Sequence, residues 1–234
     1  MPGYLTKQEV IEIAGAAGLV VRSLLDRQQF SDPLGVARRL GISPAMWSLF
    51  GVPWPSGARL AARLVARPSR PGERILEIGC GLALASLAAH RRGDDITASD
   101  CHPLAEAFLV RNLRLNGLAP IKYRHGRWGG VPAPVSEGGA TAAPVAGRFD
   151  LVIGSDVLYE RDADGTLASF IADHAEATAE VWIVDPDRGN RAAFNRRMAE
   201  AGFTQHEERL DQAAAAGSPA YKGRLLVYRR STAP

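Results

Sequence analysis

One short segment constrains the fold more than any other part of the chain. The apolar run Ile75-Leu76-Glu77-Ile78 ends at Gly79-Cys80-Gly81, and a helix-forming stretch, Leu82 to Arg92, follows at once. A buried parallel strand that turns sharply into a helix has this pattern. Glycines at such a turn let backbone N–H groups approach a ligand, and a helix N-terminus favours polar or anionic ligand groups. The segment therefore predicts a ligand site at a strand end.

A second acid strengthens this prediction. A short strand is expected after the helix stop at Gly93, and its last residue is Asp100. In doubly wound folds, an acid about 20 residues beyond the glycine turn accepts hydrogen bonds from ribose hydroxyls. The dinucleotide pattern needs a third glycine where this chain has Leu84. We therefore expect a nucleoside ligand at this turn, and not NAD.

Strands and helices alternate from Arg74 onwards, which predicts a parallel sheet with right-handed crossovers. The fold class is thus α/β: a doubly wound, mostly parallel, seven-stranded Rossmann-like sheet with an antiparallel C-terminal hairpin. Long loops are expected at 129–147 and, within the hairpin, at 213–217. The predicted strands are Ile75–Gly79, Ile96–Asp100, Ile121–His125, Phe149–Gly154, Val181–Val184, Phe203–Leu210 and Arg224–Arg229, and the predicted helices are Leu82–Arg92, one from Pro103 that Gly117 stops, Thr166–Glu176 and Asn190–Ala201.

The first 55 residues are expected to form an N-terminal helical and irregular extension of a single domain that spans residues 1–234. Thr6-Lys7-Gln8-Glu9 is a capping box, and an apolar stripe from Val10 to Leu24 predicts a helix of about five turns behind it. Residues 28–55 mix prolines with aromatics, which predicts an irregular segment with short helical turns across the ligand cleft. The extension is either a packing element or a lid.

Further motifs stand at other strand ends. Asp156-Val157-Leu158-Tyr159 follows the fourth strand, and Asp185-Pro186-Asp187-Arg188 follows the fifth. With Glu-x-Gly-x-Gly and Asp100, they resemble the seven-β-strand S-adenosylmethionine-dependent methyltransferases. The Asp-x-x-Tyr pattern at Asp156–Tyr159 resembles a motif of the protein-lysine methyltransferases within that class. Asp185-Pro186-Asp187-Arg188 resembles a motif of those that act on the electron-transfer flavoprotein. Pro53-Trp54-Pro55-Ser56 resembles the Trp-Pro segment that precedes the cofactor strand in this group.

The chain departs from the family pattern at two positions. Ala83 stands where a third glycine is usual, which narrows the conformational freedom of the turn. Arg127 precedes Trp128, where the family often has an acid. The second departure affects the expected contacts on the adenine side.

The resemblance implies S-adenosylmethionine as the cofactor and a set of site residues. Asp156 and Tyr159 are the implied catalytic residues: the carboxylate would orient an acceptor amine and could accept its proton, and the ring would shape the amine pocket. Plainer interpretations stay open, since Glu77 could satisfy local N–H groups, Trp128 could be a core aromatic and Asp156 could cap a helix. The implied cofactor-binding residues are Trp54, Glu77, Gly79, Cys80, Gly81, Asp100, Cys101, Trp128 and Ser155.

Composition excludes little but agrees with this interpretation. The formal charge of +3 is mild, and no basic run with interleaved aromatics predicts a nucleic-acid groove. The histidines lack metal-ligand spacing, so no metal is expected. No apolar run approaches the roughly 20 residues that span a bilayer, and the N-terminus lacks a secretory pattern. We expect a cytoplasmic protein with Cys80 and Cys101 reduced, although a disulfide between neighbouring strand ends is conceivable.

The sequence thus predicts a methyltransferase whose acceptor is a lysine amine on a protein partner. Two alternatives stay open: a small-molecule N-methyltransferase of the same fold, and a module that binds S-adenosylmethionine without catalysis. A peptide acceptor requires an open groove near Trp54 and Tyr159, whereas a small molecule requires a closed pocket. Fold analogy supports the cofactor better than the acceptor.

Overall fold

The computed structural model describes residues 3–129, 142–159, 164–214 and 219–230. Its centre is a seven-stranded sheet with the strand order β5-β4-β3-β6-β7-β9-β8. Strands β3 to β7 run parallel, whereas β9 is antiparallel to both β7 and β8. The strands are β3 (Arg74–Ile78), β4 (Asp95–Asp100), β5 (Lys122–His125), β6 (Phe149–Ser155), β7 (Ala175–Asp185), β8 (Phe203–Arg209) and β9 (Arg224–Arg230). The predicted fold class, including the C-terminal hairpin, is confirmed.

Hydrophobic side chains of the central strands alternate between two buried clusters, one on each face of the sheet. In β3, Ile75 packs into the first cluster and Leu76 into the second. Strands buried on both faces read as continuous apolar runs, which is why β3 and β6 are recognisable in the sequence. The helices are α3 (Pro55–Ala66), α4 (Leu84–Arg91) and α5 (Ala105–Leu115), whose residues join the first cluster, and α6 (Thr166–His174) and α7 (Arg191–Glu200), which join the second.

Four predicted element boundaries are wrong by two residues or more, and helix α3 was not predicted. Helices α4 and α5 begin at Leu84 and Ala105, each two residues after the predicted start. Helix α3 begins at Pro55, where a proline is favoured because the first helical turn needs no N–H donor. Helix α6 ends at His174, and β7 begins at Ala175, six residues before the predicted strand at Val181. Most of the loop expected at 129–147 lies outside the described residues, as does 215–218 in the C-terminal hairpin.

The predicted N-terminal helix is wrong. The chain forms a hairpin of two antiparallel strands, β1 (Thr6–Ile11) and β2 (Leu19–Leu24). Gly15, with φ 81°, lies in the turn between them. From Leu19 to Ser23, buried residues alternate with half-buried ones, which is the period of a strand. Glycines that interrupt the apolar stripe therefore outweigh the capping box.

Two asparagines, Asn112 of α5 and its C-cap residue Asn116, dock this hairpin onto the sheet domain. The Asn116 side chain accepts a hydrogen bond from Val20 N at 3.0 Å and donates one to Val20 O at 2.8 Å. Asn112 bonds Arg22 in the same way, accepting from its N at 2.8 Å and donating to its O at 3.4 Å. The amides stand one helical turn apart and match alternate residues of β2. The hairpin thus packs on the domain through specific polar contacts as well as through Leu19 and Val21.

The segment after the hairpin is irregular, as predicted. It contains the short helices α1 (Val36–Arg39) and α2 (Pro44–Trp47) and a 3₁₀ turn at Ser48–Gly51. Trp47 and Phe50 are buried, whereas Phe30 is half exposed. Among the described residues, no helix is both long and apolar enough to cross a bilayer.

Candidate active site

The glycine turn adopts a backbone that few other residues can adopt. Gly79 and Gly81 have φ values of 56° and 51°, and Ala83 has 59°. A Cβ on Gly81 would lie 2.8 Å from the Phe50 carbonyl oxygen, and a Cβ on Gly79 would lie 3.0 Å from Cγ1 of Val157. The turn is therefore packed between the irregular segment and the residues that follow β6. Ala83, which replaces the usual third glycine, occupies the left-handed region despite its methyl group.

Asp100 fixes this turn against the end of β4. Its Oδ2 accepts a hydrogen bond from Gly81 N, and its Oδ1 accepts one from His102 N, both at 2.8 Å. Burial raises the pKa of Asp100, and the surrounding backbone donors oppose that increase. The backbone N–H of Cys101 is a third donor to this carboxylate. A carboxylate has about four acceptor positions, so a ligand hydroxyl can still bind this one.

Glu77 is buried and holds the start of α4. Its Oε2 accepts hydrogen bonds from the backbone N and the hydroxyl of Ser86. Burial raises the pKa of Glu77 to about 7, against the lowering effect of the Ser86 donors. Glu77 therefore accepts hydrogen bonds from local donors, as the plainer interpretation predicts. Glu77 also lines the cavity described below.

Asp156 lies at the other end of the site, directly after β6. It has φ 57°, and residues 157–159 form a turn in which no helix begins. Within the described residues, the next helix is α6, whose N-cap is Gly165, so Asp156 does not cap it. Arg188 contacts Asp156 twice: Nη2 lies 3.0 Å from Oδ1, and Nη1 donates to the main-chain oxygen at 3.2 Å. Burial raises the pKa of Asp156, and the Ser56 hydroxyl and Arg188 oppose the increase.

All eleven residues implied by the sequence line one cavity of about 320 Å³. This volume lies at the lower end of the range for small-molecule sites, about 300–1,000 Å³. The strand ends meet because β4, β3 and β6 are neighbours and parallel. Both thiols, Cys80 and Cys101, line this wall, and no disulfide joins them among the described residues. Tyr159 is 41% exposed, so this end of the cavity reaches solvent.

Among the lining residues that were not assigned from the sequence, three make contacts that shape the site. Phe50 stacks on His102 with ring centroids 3.7 Å apart and an interplanar angle of 12°. Burial lowers the pKa of His102 to about 3, and its Nδ1 accepts from Leu104 N at 3.2 Å. The third, Arg188, belongs to a motif that the sequence singled out without giving this side chain a role. The aromatic content of the 28–55 segment was the signal for Phe50, whereas nothing in the sequence signalled His102.

Trp128 and Trp54 both line the cavity. The Trp128 ring lies beside Gly79, 3.6 Å from the position a Cβ would take there, and its buried Nε1 has no hydrogen-bond partner among the described residues. Trp54 donates its Nε1–H to the Leu49 carbonyl at 2.8 Å. Two guanidinium groups, of Arg27 and Arg188, lie 5.6 and 6.0 Å from the Trp54 ring.

Comparison with known proteins gives relatives of one kind. No family model matches the chain. The electron transfer flavoprotein beta subunit lysine methyltransferase of Mus musculus is 28% identical over 149 residues, 62% of this chain and 52% of that protein. The ribosomal protein L11 methyltransferase of Thermus thermophilus is 29% identical over 169 residues, 72% of this chain and 59% of that protein. The chain thus spans little more than half the length of either relative.

A solved structure extends the comparison to the fold. Magnesium protoporphyrin IX methyltransferase from Synechocystis, with bound S-adenosylmethionine, matches with a TM-score of 0.54 at 18% identity, covering 75% of this chain and 78% of that one. The resemblance noted in the motifs is confirmed. This chain has the fold of the S-adenosylmethionine-dependent methyltransferases, and its relatives by sequence include methyltransferases of protein substrates.

Proposed function

We propose that this chain is an S-adenosylmethionine-dependent methyltransferase whose acceptor is a lysine amine on a protein partner. One observation carries the proposal: a single cavity joins the glycine turn and Asp100 to Asp156 and Tyr159. The first pair of features suits a nucleoside, and the second suits an amine. The names of the relatives, one of which is a lysine methyltransferase, support this choice of acceptor.

The residues of the nucleoside end fit the cofactor. Asp100 keeps an acceptor position for a ribose hydroxyl. Gly79 and Gly81 line the cavity without side chains, which lets a ligand approach the backbone there. Phe50, stacked on a neutral His102, gives this end an apolar wall suited to a purine ring. When bound, S-adenosylmethionine would supply a methyl group on a sulfonium. An uncharged amine would attack the methyl carbon, and the carbon–sulfur bond would break to leave the neutral thioether.

The residues of the amine end would position the acceptor. Asp156 has a carboxylate oxygen in the cavity wall, and Tyr159 adds an aromatic ring open to solvent. Methyl transfer requires the amine lone pair to be held about 3 Å from the methyl carbon. A lysine amine has a reference pKa of about 10.4, so it must lose a proton before it reacts. Asp156 orients the amine, and the proton leaves to water.

The test is transfer of a labelled methyl group. The protein is incubated with labelled S-adenosylmethionine and a cell lysate separated into a protein fraction and a small-molecule filtrate. We expect label on protein bands that yields methyl-lysine after acid hydrolysis. Asp156→Asn should lower transfer at least tenfold, a barrier increase of about 1.4 kcal/mol. Affinity for S-adenosylhomocysteine, measured by calorimetry, should remain nearly unchanged in this variant.

Control variants separate the role of Asp156 from general effects. Asp173→Asn makes the same change on α6, at an exposed residue outside the cavity, and should leave transfer unchanged. Tyr159→Phe should cost less than Tyr159→Ala, which removes the ring. Label confined to the filtrate would indicate a small-molecule acceptor, and tight S-adenosylhomocysteine binding with no transfer at all would indicate a binding module. Either result would refute the proposal.

A further inference from the structure

The acid of the Asp-x-x-Tyr motif already has a cationic partner. Arg188 Nη2 lies 3.0 Å from Oδ1 of Asp156, and Nη1 bonds the main-chain oxygen of the same residue at 3.2 Å. The two side chains are 29% and 11% exposed, so solvent screens this ion pair less than a surface pair. Two contacts to one residue fix the guanidinium relative to the carboxylate.

Arg188 is itself held in place. Its backbone N donates to Oδ2 of Asp185 at 2.9 Å, and Asp185 is fully buried at the end of β7. Because β6 and β7 are paired and parallel, their ends carry Asp156 and Arg188 to the same edge of the sheet. The ion pair therefore belongs to the folded framework of the cavity wall.

Among the residues that the structure describes, three other groups face Asp156. Asp185, from β7, and Tyr221, from the segment before β9, act on it electrostatically. The Ser56 hydroxyl, from α3, lies beside the carboxyl and is 3.0 Å from the Tyr221 hydroxyl. None of these three is a cation. Arg188 thus provides the positive charge that compensates Asp156.

Compensation changes what this end of the cavity can bind. A lone carboxylate would stabilise a lysine ammonium and hold it in its unreactive form. An arginine stays protonated at any working pH, so its ion pair with Asp156 carries no net charge. Burial raises the pKa of the neighbouring Asp185, which favours the neutral form of that second carboxyl. The Trp54 ring also has two guanidinium groups within about 6 Å, which oppose a third cation against its face. The surroundings of Asp156 therefore favour a neutral amine.

We propose that Arg188 is a positioning residue that keeps Asp156 charge-compensated, so that this end of the cavity receives the acceptor as a neutral amine and not as an ammonium. This inference rests on the proposed function. It assigns the arginine of Asp185-Pro186-Asp187-Arg188 to the protonation state of the acceptor. Asp156 then accepts a hydrogen bond from the amine without fixing a proton on it.

The first test is the pH profile of labelled-methyl transfer to lysate protein at saturating S-adenosylmethionine. Arg188→Gln leaves Asp156 charged and uncompensated, so the pKa of the bound acceptor amine should rise. The midpoint of the profile should therefore move about one unit to higher pH, which is the lower limit of the shift that a charge within about 4–6 Å causes. At pH 7.5 the rate should fall several-fold and recover towards pH 10. Arg188→Lys keeps the charge and should keep the wild-type midpoint. A rate lowered by the same factor at every pH would overturn the proposal.

A matched control has the same chemistry away from the cavity. Arg191→Gln removes an arginine of similar exposure, 27%. Arg191 lies on the first turn of α7, pairs with Asp187 and does not line the cavity. Its profile should match the wild type. An equal shift in this variant would show that the effect follows from net charge and would overturn the role of Arg188.

The second test needs no acceptor. The Asp156 carboxyl carbon is titrated by ¹³C NMR with S-adenosylhomocysteine bound, and its signal is assigned by its loss in Asp156→Asn. Arg188→Gln should raise the midpoint of this titration, and an unchanged midpoint would overturn the proposal. If the wild-type protein labels nothing, the proposed function is wrong, and the carboxyl titration alone decides whether Arg188 compensates Asp156.

Discussion

The close approach of Phe50 to the glycine turn makes a measurable prediction about Gly81. Gly81→Ala places a methyl group 2.8 Å from the Phe50 carbonyl oxygen, at a residue with φ 51°. The left-handed backbone alone costs about 1–2 kcal/mol for alanine. A methyl group forced against backbone that cannot move costs about 1–3 kcal/mol more. The variant should therefore lose stability and also displace the segment that covers the cavity.

A second glycine separates these two costs. Gly117, after α5, has φ 65° and nothing within 4 Å of its would-be Cβ. Gly117→Ala therefore has the same backbone strain and the same reduction in unfolded-state freedom, but no steric clash. The two variants should differ in free energy of unfolding by about 1–3 kcal/mol in urea titrations. Gly81→Ala should also weaken S-adenosylhomocysteine binding at least tenfold by calorimetry, whereas Gly117→Ala should not.

The result that would refute this reasoning is equal stability of the two alanine variants. Phe50 would then not contact the turn at the distance given above, and the irregular segment would not form a wall of the cavity. Normal ligand affinity in a destabilised Gly81→Ala variant would refute a narrower point. It would show that the turn supports the fold without touching the ligand.

Three further predictions concern single side chains. Asp100→Asn keeps one acceptor oxygen but places an NH₂ group against a backbone N–H donor. The free energy of S-adenosylhomocysteine binding should therefore weaken by about 1.5–3 kcal/mol in calorimetry, with the fold retained. Unchanged affinity would contradict the ribose assignment. The folded-state pKa of Glu77, about 7, lies above its ordinary value of 4.5, so its contribution to stability is complete below pH 4.5 and is lost as the pH rises through 7. Glu77→Gln should flatten this decline in urea titrations at pH 5 and 7.5, and an identical decline would contradict the burial of a carboxyl there. Asn116→Ala leaves Val20 N and O unpaired, which should cost about 1–3 kcal/mol and speed hydrogen exchange at Val20; equal exchange rates would show that the hairpin does not depend on this amide.

The central sheet could be predicted because its signals are local. The apolar run at Ile75–Ile78 is bounded by glycines, and helix stops such as Gly93 and Gly117 divide the rest. The position of the site followed from the same signals, since the ends of neighbouring parallel strands meet at one edge. Glu77, Asp100 and Asp156 therefore reached one cavity as expected.

The structure could not be predicted where two local patterns compete, or where a contact joins residues that are distant in sequence. Residues 10–24 fit a helical stripe and a strand pair about equally well, and the turn at Gly15 together with the packing of Leu19 and Val21 favours the strand pair. The contact between Arg188 and Asp156 joins residues 32 apart in sequence, and it depends on the order of β6 and β7 in the sheet. No local pattern contains that order.

The asparagines that dock the hairpin have a consequence for self-association. A strand that leaves its edge N–H and C=O groups free is a template on which another chain can add a strand. The outward groups of Val20 and Arg22 are occupied by the side-chain amides of Asn116 and Asn112, as a neighbouring strand would occupy them. The C-terminal end of α5 thus covers the edge of β2 with two side chains. Loss of both amides would expose unpaired backbone N–H and C=O groups, on which amyloid-like or domain-swapped strand pairing could begin.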